Sequence, residues 1–231
     1  MYSPPTRPKA ISHRGIRARA PENSIPAFRH ALEAGADAIE LDVHASRDGI
    51  LFVHHDAAIA GLGAISELDS GGISSSPLAS ELRIPTLDDV LAAVGDRAGV
   101  YIEIKAAGIE RDVARCIRRH SANIANYAVH SFDHRASKRM LELLPSLRTG
   151  VLQVSYPIDS CAVMRASGAT DLWQHADFID SSLVTDVRAC GGRVIAWTVN
   201  VAAEWTRLAE MGVYGICSDR VDEYVLWRDA R

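Results

Sequence analysis

Along this chain the apolar positions change rhythm again and again, from a period of two to a period near 3.6. Short runs rich in Val, Ile and Ala predict β-strands at 9–13, 37–43, 99–105, 127–131, 148–153, 171–174, 193–199 and 215–218. Helical stripes fall between them. Ile25, Phe28 and Leu32 stand behind the capping candidates Asn23 and Ser24, with Gly35 as a stop. Leu87, Val90, Leu91 and Val94 follow Thr86, and Ile109, Val113, Cys116 and Ile117 form a third stripe. Val201, Trp205 and Leu208 follow Asn200 and end at Gly212. Eight strands alternating with helices in 231 residues predict a (β/α)8 barrel. The alternative, a doubly wound open sheet, lacks a Gly-rich turn after its first strand. Residues 57–84 break the alternation. Rich in Gly, Ser and Ala, they follow a hairpin-like run at 50–54 and predict a loop insertion inside a single domain spanning 1–231.

Polar residues interrupt these strands in a pattern of their own. Glu40 and Asp42 sit two apart in Ala-Ile-Glu-Leu-Asp-Val, and Glu103 and Lys105 sit two apart in Val-Tyr-Ile-Glu-Ile-Lys. Residues so spaced on a strand share one face. Carboxylates directed inward from apolar strands are costly unless a cation meets them. In a barrel, sites gather at the C-terminal ends of the strands. His13 and Arg14 end the first strand, Glu40 and Asp42 lie late in the second, and Glu103 and Lys105 end the third. Ser131, Gln153, Trp197 through Asn200, and Asp219 close later strands. His55-Asp56 follows the hairpin and can fold back over the same rim.

Each residue alone has a plainer explanation. Glu40 could pair with Lys105, or Asp42 with Arg14; His44, His54, His130, His134 and His175 read as hydrogen-bonded structural residues; Trp197 could be core packing. The whole set is harder to explain as core. Three carboxylates offer hard oxygen ligands suited to Mg²⁺ or Ca²⁺, with Mn²⁺ as a further candidate. Zinc would recruit His or Cys directly. Arg14 and Lys105 would neutralise charge on a phosphodiester. His13 and His55, with ordinary pKa values of ~6.5, suit an acid/base pair.

Bulk properties narrow the field. A formal charge of -4, a pI near 6.1 and the lack of a basic run argue against a nucleic-acid partner. No run reaches the ~18–20 apolar residues of a membrane span. Residues 1–10 have no apolar centre and do not read as a signal peptide. Cys116, Cys161, Cys190 and Cys217 are scattered, so buried free thiols and a reducing cytoplasm are expected. The implied partner is a small anionic molecule; nothing indicates an oligomeric state.

The motifs in order resemble the glycerophosphodiester phosphodiesterase family. They are His13-Arg14-Gly15, Pro21-Glu22-Asn23-Ser24, Glu40-Leu-Asp42-Val, Arg47-Asp48-Gly49 and Val53-His54-His55-Asp56. Ile84-Pro85-Thr86-Leu87, Tyr101-Ile-Glu103-Ile-Lys105, Ser131-Phe132-Asp133, Ala196-Trp197-Thr198-Val199-Asn200 and Gly215-Ile-Cys-Ser-Asp219-Arg220 follow. The resemblance covers about residues 11–221. It implies a TIM-type barrel that hydrolyses glycerophosphodiesters to glycerol phosphate and an alcohol. By the same resemblance, Glu40, Asp42 and Glu103 hold the metal, His13 and His55 are acid and base, and Arg14 and Lys105 contact phosphate. Glu22 and Asn23 shape the rim, and Phe132 and Trp197 wall the glycerol or leaving-group side. Attack by a neighbouring glycerol hydroxyl, through a cyclic phosphate, and attack by water both remain open. Three places depart from the family pattern: the small-residue stretch Ala57 to Gly63, His130 where many members have Gln, and Val221 after Asp219-Arg220. The altered insertion, expected over the mouth, bears on substrate choice. A lysophospholipase D-like enzyme on the same fold is the nearest alternative, although no Trp- or Lys-rich surface loop supports it. A non-catalytic phosphate-ester binding protein is the third.

Overall fold

A computed structural model describes residues 7–79, 82–120 and 123–231. Most of the 1–10 stretch considered above as a leader therefore lies outside the described residues. Eight parallel strands form the centre: β1 (Lys9–His13), β2 (Ala38–Ala45), β3 (Gly99–Ile104), β4 (Tyr127–Ser131), β5 (Arg148–Gln153), β6 (Asp171–His175), β7 (Arg193–Trp197) and β8 (Gly215–Ser218). They pair in chain order, and β1 bonds to both β2 and β8, which closes the barrel. Around it run α1 (Ile25–Glu33), α2 (Leu87–Val94), α3 (Glu110–His120), α4 (His134–Leu143), α5 (Ser160–Ser167), α6 (Ser181–Ala189), α7 (Ala202–Met211) and α8 (Val221–Asp229). The predicted (β/α)8 barrel is the fold.

Strand alternation sorts the side chains. Ile39, Leu41 and Val43 of β2, like Val100, Ile102 and Ile104 of β3, face outward and join the helix stripes in the main core. Burying each such side chain contributes about 1.5–3 kcal/mol. Inward-facing Ile11, Ala38, Tyr101, Ala128, Leu152, Trp173, Ile195 and Cys217 fill the barrel as a second cluster. The barrel is thus plugged, and polar residues further along the strands are left at its ends.

Ser24 caps α1, with Pro in the first turn, and Thr86 with Asp89 forms a capping box on α2. Such caps contribute typically ~1 kcal/mol. Asn200 does not start α7. Strand β7 ends two residues earlier than predicted, and the Asn200 side chain turns to the end of β8 instead.

The insertion holds more structure than a loop. After Leu51–Val53, which pairs antiparallel with β2, the insertion forms two two-stranded ribbons, and its Ser70–Ser74 is helical. Phe52, Ile59, Ile65, Ile73 and Ile84 give it a small core of its own. Its Gly and Ser content conceals these widely spaced isoleucines.

One expectation fails outright. Cys161 and Cys190 are joined as a disulfide, with Cα atoms 6.0 Å apart and a sequence separation of 29. Both are only half buried, on neighbouring helices α5 and α6, so the core does not claim them. Closing a loop of that length stabilises by roughly 3–4 kcal/mol on the chain-entropy account. Cys116 and Cys217 are buried thiols as expected. Four free thiols therefore no longer support a reducing compartment. Among the described residues, no helix is long and apolar enough to cross a membrane.

Candidate active site

The turn after β1 begins the site. Arg14 and Gly15 both take left-handed backbone, with φ of 57 and 84°. A Cβ on Gly15 would lie 2.5 Å from the Ala27 Cβ, so only glycine lets α1 pack against this turn. The Arg14 N–H donates to the Glu40 carbonyl at 3.0 Å, and the Asn23 N–H to the Arg14 carbonyl at 2.9 Å. Asn23 is itself left-handed, at φ 56°, which Asn tolerates better than most residues. These bonds fasten His13 and Arg14 over β2.

Strand register then brings the acids together. Asp42 pairs across with Glu103, and Glu103 with His130. Glu40, Asp42, Glu103 and His130 are all buried. Carboxylate oxygens of Glu40 and Glu103 and a ring nitrogen of His130 lie within 4.8 Å of one another. Burial, reinforced by Asp42, pushes Glu40 up to about 7. Burial also takes Glu103 up to about 7, with His130 working against it. Asp42 behaves otherwise. Burial would raise it, but Arg14 (Nε to Oδ2, 2.9 Å), Asn23 (Nδ2 to Oδ2, 2.9 Å) and Lys105 (Nζ to Oδ1, 3.6 Å) hold it below the usual range. Lys105 also meets Glu103 at 3.1 Å. Glu40 and Glu103 thus converge as expected, and Asp42 stands beside them, bound to cations.

The two predicted histidines are each anchored by a carboxylate. His13 Nδ1 lies 2.7 Å from Asp219 Oδ1, and His55 Nδ1 lies 2.7 Å from Asp56 Oδ1. A carboxylate only accepts, so each Nδ1 carries the proton and each Nε2 is the nitrogen with a lone pair to offer. Asn200 Nδ2 (2.8 Å) and Arg17 (2.8 Å) hold the other Asp219 oxygen. Burial alone would raise Asp219; His13, Asn200 and Arg17 outweigh it and keep the carboxyl low. His44 Nε2, at 3.2 Å, fixes the His55 carbonyl.

His13, Arg14, Glu40, His55, Glu103, Lys105 and His130 line one cavity, together with Phe132 and Trp197. Glu22 stands outside it and holds Arg14 at 3.1 Å and Arg17 at 3.1 Å; Asn23 reaches in only through Asp42. Among the described residues, none of the insertion lines this cavity. The insertion flanks α1, leaving a groove past Pro26, Arg29, Arg83 and Asp89 that gathers no acid–histidine set. The opposite rim is apolar. Phe132 meets Trp197 edge-on at 5.7 Å, Trp197 meets His175 at 5.4 Å, and His175 meets Phe178 at 6.1 Å. Val154, Tyr156 and Ile158 are exposed in the loop after β5.

Sequence reasoning missed four contributors. Arg17 carries no spacing signal, since its partner Asp219 is some 200 residues away; Asn200, named above at the rim without a role, holds the same Asp219. His44 and His130 were read as structural histidines. Both sit at inward positions, His44 on the strand that carries Glu40 and Asp42 and His130 across from Glu103 on the next strand, and that parity is the available signal.

The model of the Glycerophosphoryl diester phosphodiesterase family matches residues 13–223. A glycerophosphodiester phosphodiesterase of Caldanaerobacter subterraneus is 32% identical over 90% of this chain and 93% of its own. A probable glycerophosphodiester phosphodiesterase 2 of Mycobacterium tuberculosis is 35% identical over 92% of this chain and 88% of its own. Among solved structures, an Oleispira antarctica phosphodiesterase in complex with the product sn-glycerol-3-phosphate superposes with a TM-score of 0.90. It shares 24% identity, covering 96% of this chain and 97% of that one. The chain belongs to the glycerophosphoryl diester phosphodiesterase family.

Proposed function

We propose that this protein hydrolyses glycerophosphodiesters to glycerol phosphate and an alcohol, with a divalent cation and two histidines. The observation that carries this reading is the convergence of Glu40, Glu103, His13 and His55 on one cavity. The donor set fits a cation. Glu40 Oε2 and Asp42 Oδ1 are buried with no hydrogen-bond partner among the described residues, and burial pushes the Glu40 and Glu103 carboxyls up to about 7. Glu40, Asp42 and Glu103 would hold Mg²⁺, Ca²⁺ or Mn²⁺. When bound, the cation supplies positive charge against the non-bridging phosphate oxygens.

The protein's own groups do the rest. Arg14 and Lys105 orient the phosphate and share its growing charge. One free Nε2, of His13 or His55, removes a proton from the attacking hydroxyl or water. The other donates a proton to the departing alcohol oxygen as its bond to phosphorus breaks. Asp219 and Asp56 aim the rings and stabilise each imidazolium as it forms. Glu22 holds Arg14 to the rim, Asn23 holds Asp42, and the edge-on pair of Phe132 and Trp197 keeps water from one side.

The test is a panel of glycerophosphodiesters assayed with Mg²⁺, Ca²⁺, Mn²⁺ and excess chelator. Glycerol phosphate should appear only with metal, and full activity in chelator would sink the cation's role. His55→Ala should lower turnover by roughly 10²–10⁴-fold with metal still bound.

The apolar arc favours a second reading, a lysophospholipase D-like activity in which an acyl chain lies along Phe132, Trp197 and Phe178. Turnover of lysophosphatidylcholine above that of glycerophosphocholine would establish it. The reverse order would leave the first reading alone.

A further inference from the structure

His130 is the one buried imidazole in the cavity that the mechanism above leaves idle. It is 1% exposed on β4, and its ring stacks on Trp173 with centroids 4.0 Å apart and planes 13° apart. Tyr101, edge-on to Trp173 at 5.1 Å, lies 6.4 Å from the same ring. These contacts fix the ring plane. They do not satisfy its nitrogens. Nδ1 has no hydrogen-bond partner among the described residues, and Nε2 lies 3.7 Å from Glu40 Oε1, beyond hydrogen-bond reach. A buried imidazole in that condition is costly, and an apolar side chain would fill the same space without the penalty.

Glu40 presents Oε1 to this ring, and its other oxygen, Oε2, is buried with no hydrogen-bond partner among the described residues. Two ligands, each about 2.1 Å from one ion, stand roughly 3–3.5 Å apart. The present separation is near that distance. Resting on the cation reading above, we infer that His130 is a nitrogen ligand of the site formed with Glu40 and Glu103, biasing it toward divalent transition ions over Ca²⁺. Imidazole ligands suit transition ions, whereas purely oxygen sites suit Mg²⁺ and Ca²⁺. Zinc was set aside above because no histidine stood among the ligands, and His130 removes that ground.

Pulsed electron paramagnetic resonance of the Mn²⁺-loaded protein tests this without recourse to activity. Wild type should show ¹⁴N modulation that His130→Gln abolishes while Mn²⁺ still binds. By calorimetry, His130→Gln should weaken Co²⁺ binding at least tenfold and Ca²⁺ binding less than threefold. Should that variant fail to fold, the smaller His130→Asn serves the same comparison. Modulation that persists in the variant would assign the nitrogen to His13 or His55 and overturn the inference. So would bound Mn²⁺ with no ¹⁴N signal in wild type, or equal loss of Co²⁺ and Ca²⁺ affinity. If wild type takes up no Mn²⁺ at all, the cation reading itself falls, and this inference with it.

Discussion

The barrel carries buried charge at both ends and treats it in opposite ways. At the floor, fully buried Asp171 accepts from Arg193 Nε at 2.8 Å, and the Arg193 guanidinium lies 4.5 Å over the Tyr214 ring. Arg148 donates to the Tyr101 hydroxyl at 3.2 Å and sits 5.4 Å over that ring. One acid there faces two guanidiniums and two aromatic faces. At the mouth, Glu40, Asp42 and Glu103 share Arg14 and Lys105, and burial leaves two of the three carboxyls at about 7. The plug around Ile11, Leu152 and Ile195 separates the two ends. A buried charge that the fold pairs is structural; one that the fold leaves in need of a cation is poised to bind.

The largest effect should come from exchanging these roles by mutation. Glu103→Gln or Glu40→Gln should cost turnover about 10²–10³-fold or more, while the melting temperature holds or rises because an unmet buried charge is gone. Asp171→Asn should do the reverse. Breaking a buried pair costs about 3–5 kcal/mol, which chemical unfolding would read directly, with turnover within about threefold of wild type. Equal losses of activity in both variants would erase the distinction between floor and mouth.

A smaller effect follows from pH. Glu40 and Glu103, raised from 4.5 to about 7, keep protons in the cation-free fold that the unfolded chain has already released. Their stabilising contribution is therefore full below about pH 4.5 and is lost as pH rises to about 7. His130, lowered from 6.5 to about 4, contributes with the opposite slope over an overlapping window, and two carboxyls outweigh one imidazole. A cation must displace those carboxyl protons. The gain in melting temperature on adding Mn²⁺ should accordingly grow between about pH 5.5 and 7.5, by several degrees if about 1–2 kcal/mol is involved, and then level off. A gain independent of pH would contradict the raised carboxyls.

Much of this was legible in the chain. The switch between periods of two and 3.6 marks all eight strands and four of the helices, because burial of alternate strand residues and of helix stripes is local in sequence. Glu40 and Asp42 were readable for the same reason, since two-residue spacing fixes a shared face. What stayed hidden depends on partners far apart. The anchoring of His13 by Asp219 spans 206 residues, and nothing in either segment names the other. The Cys161–Cys190 bond depends on how α5 and α6 sit side by side. The apolar rim is assembled from single residues in three loops, each unremarkable alone. His130 shares the inward parity of its strand with no sequence sign that its nitrogens would go unmet.

A cation held at the mouth and not at the floor has a distinct binding signature. Calorimetric titration of chelator-stripped protein with Mn²⁺ tests it most directly, comparing wild type, Glu103→Gln and Asp171→Asn. Saturable uptake near one ion per chain is expected in wild type and in Asp171→Asn, and at least a tenfold weaker affinity in Glu103→Gln. Equal affinity in Glu103→Gln and wild type would rule out a cation held by Glu103 at the mouth.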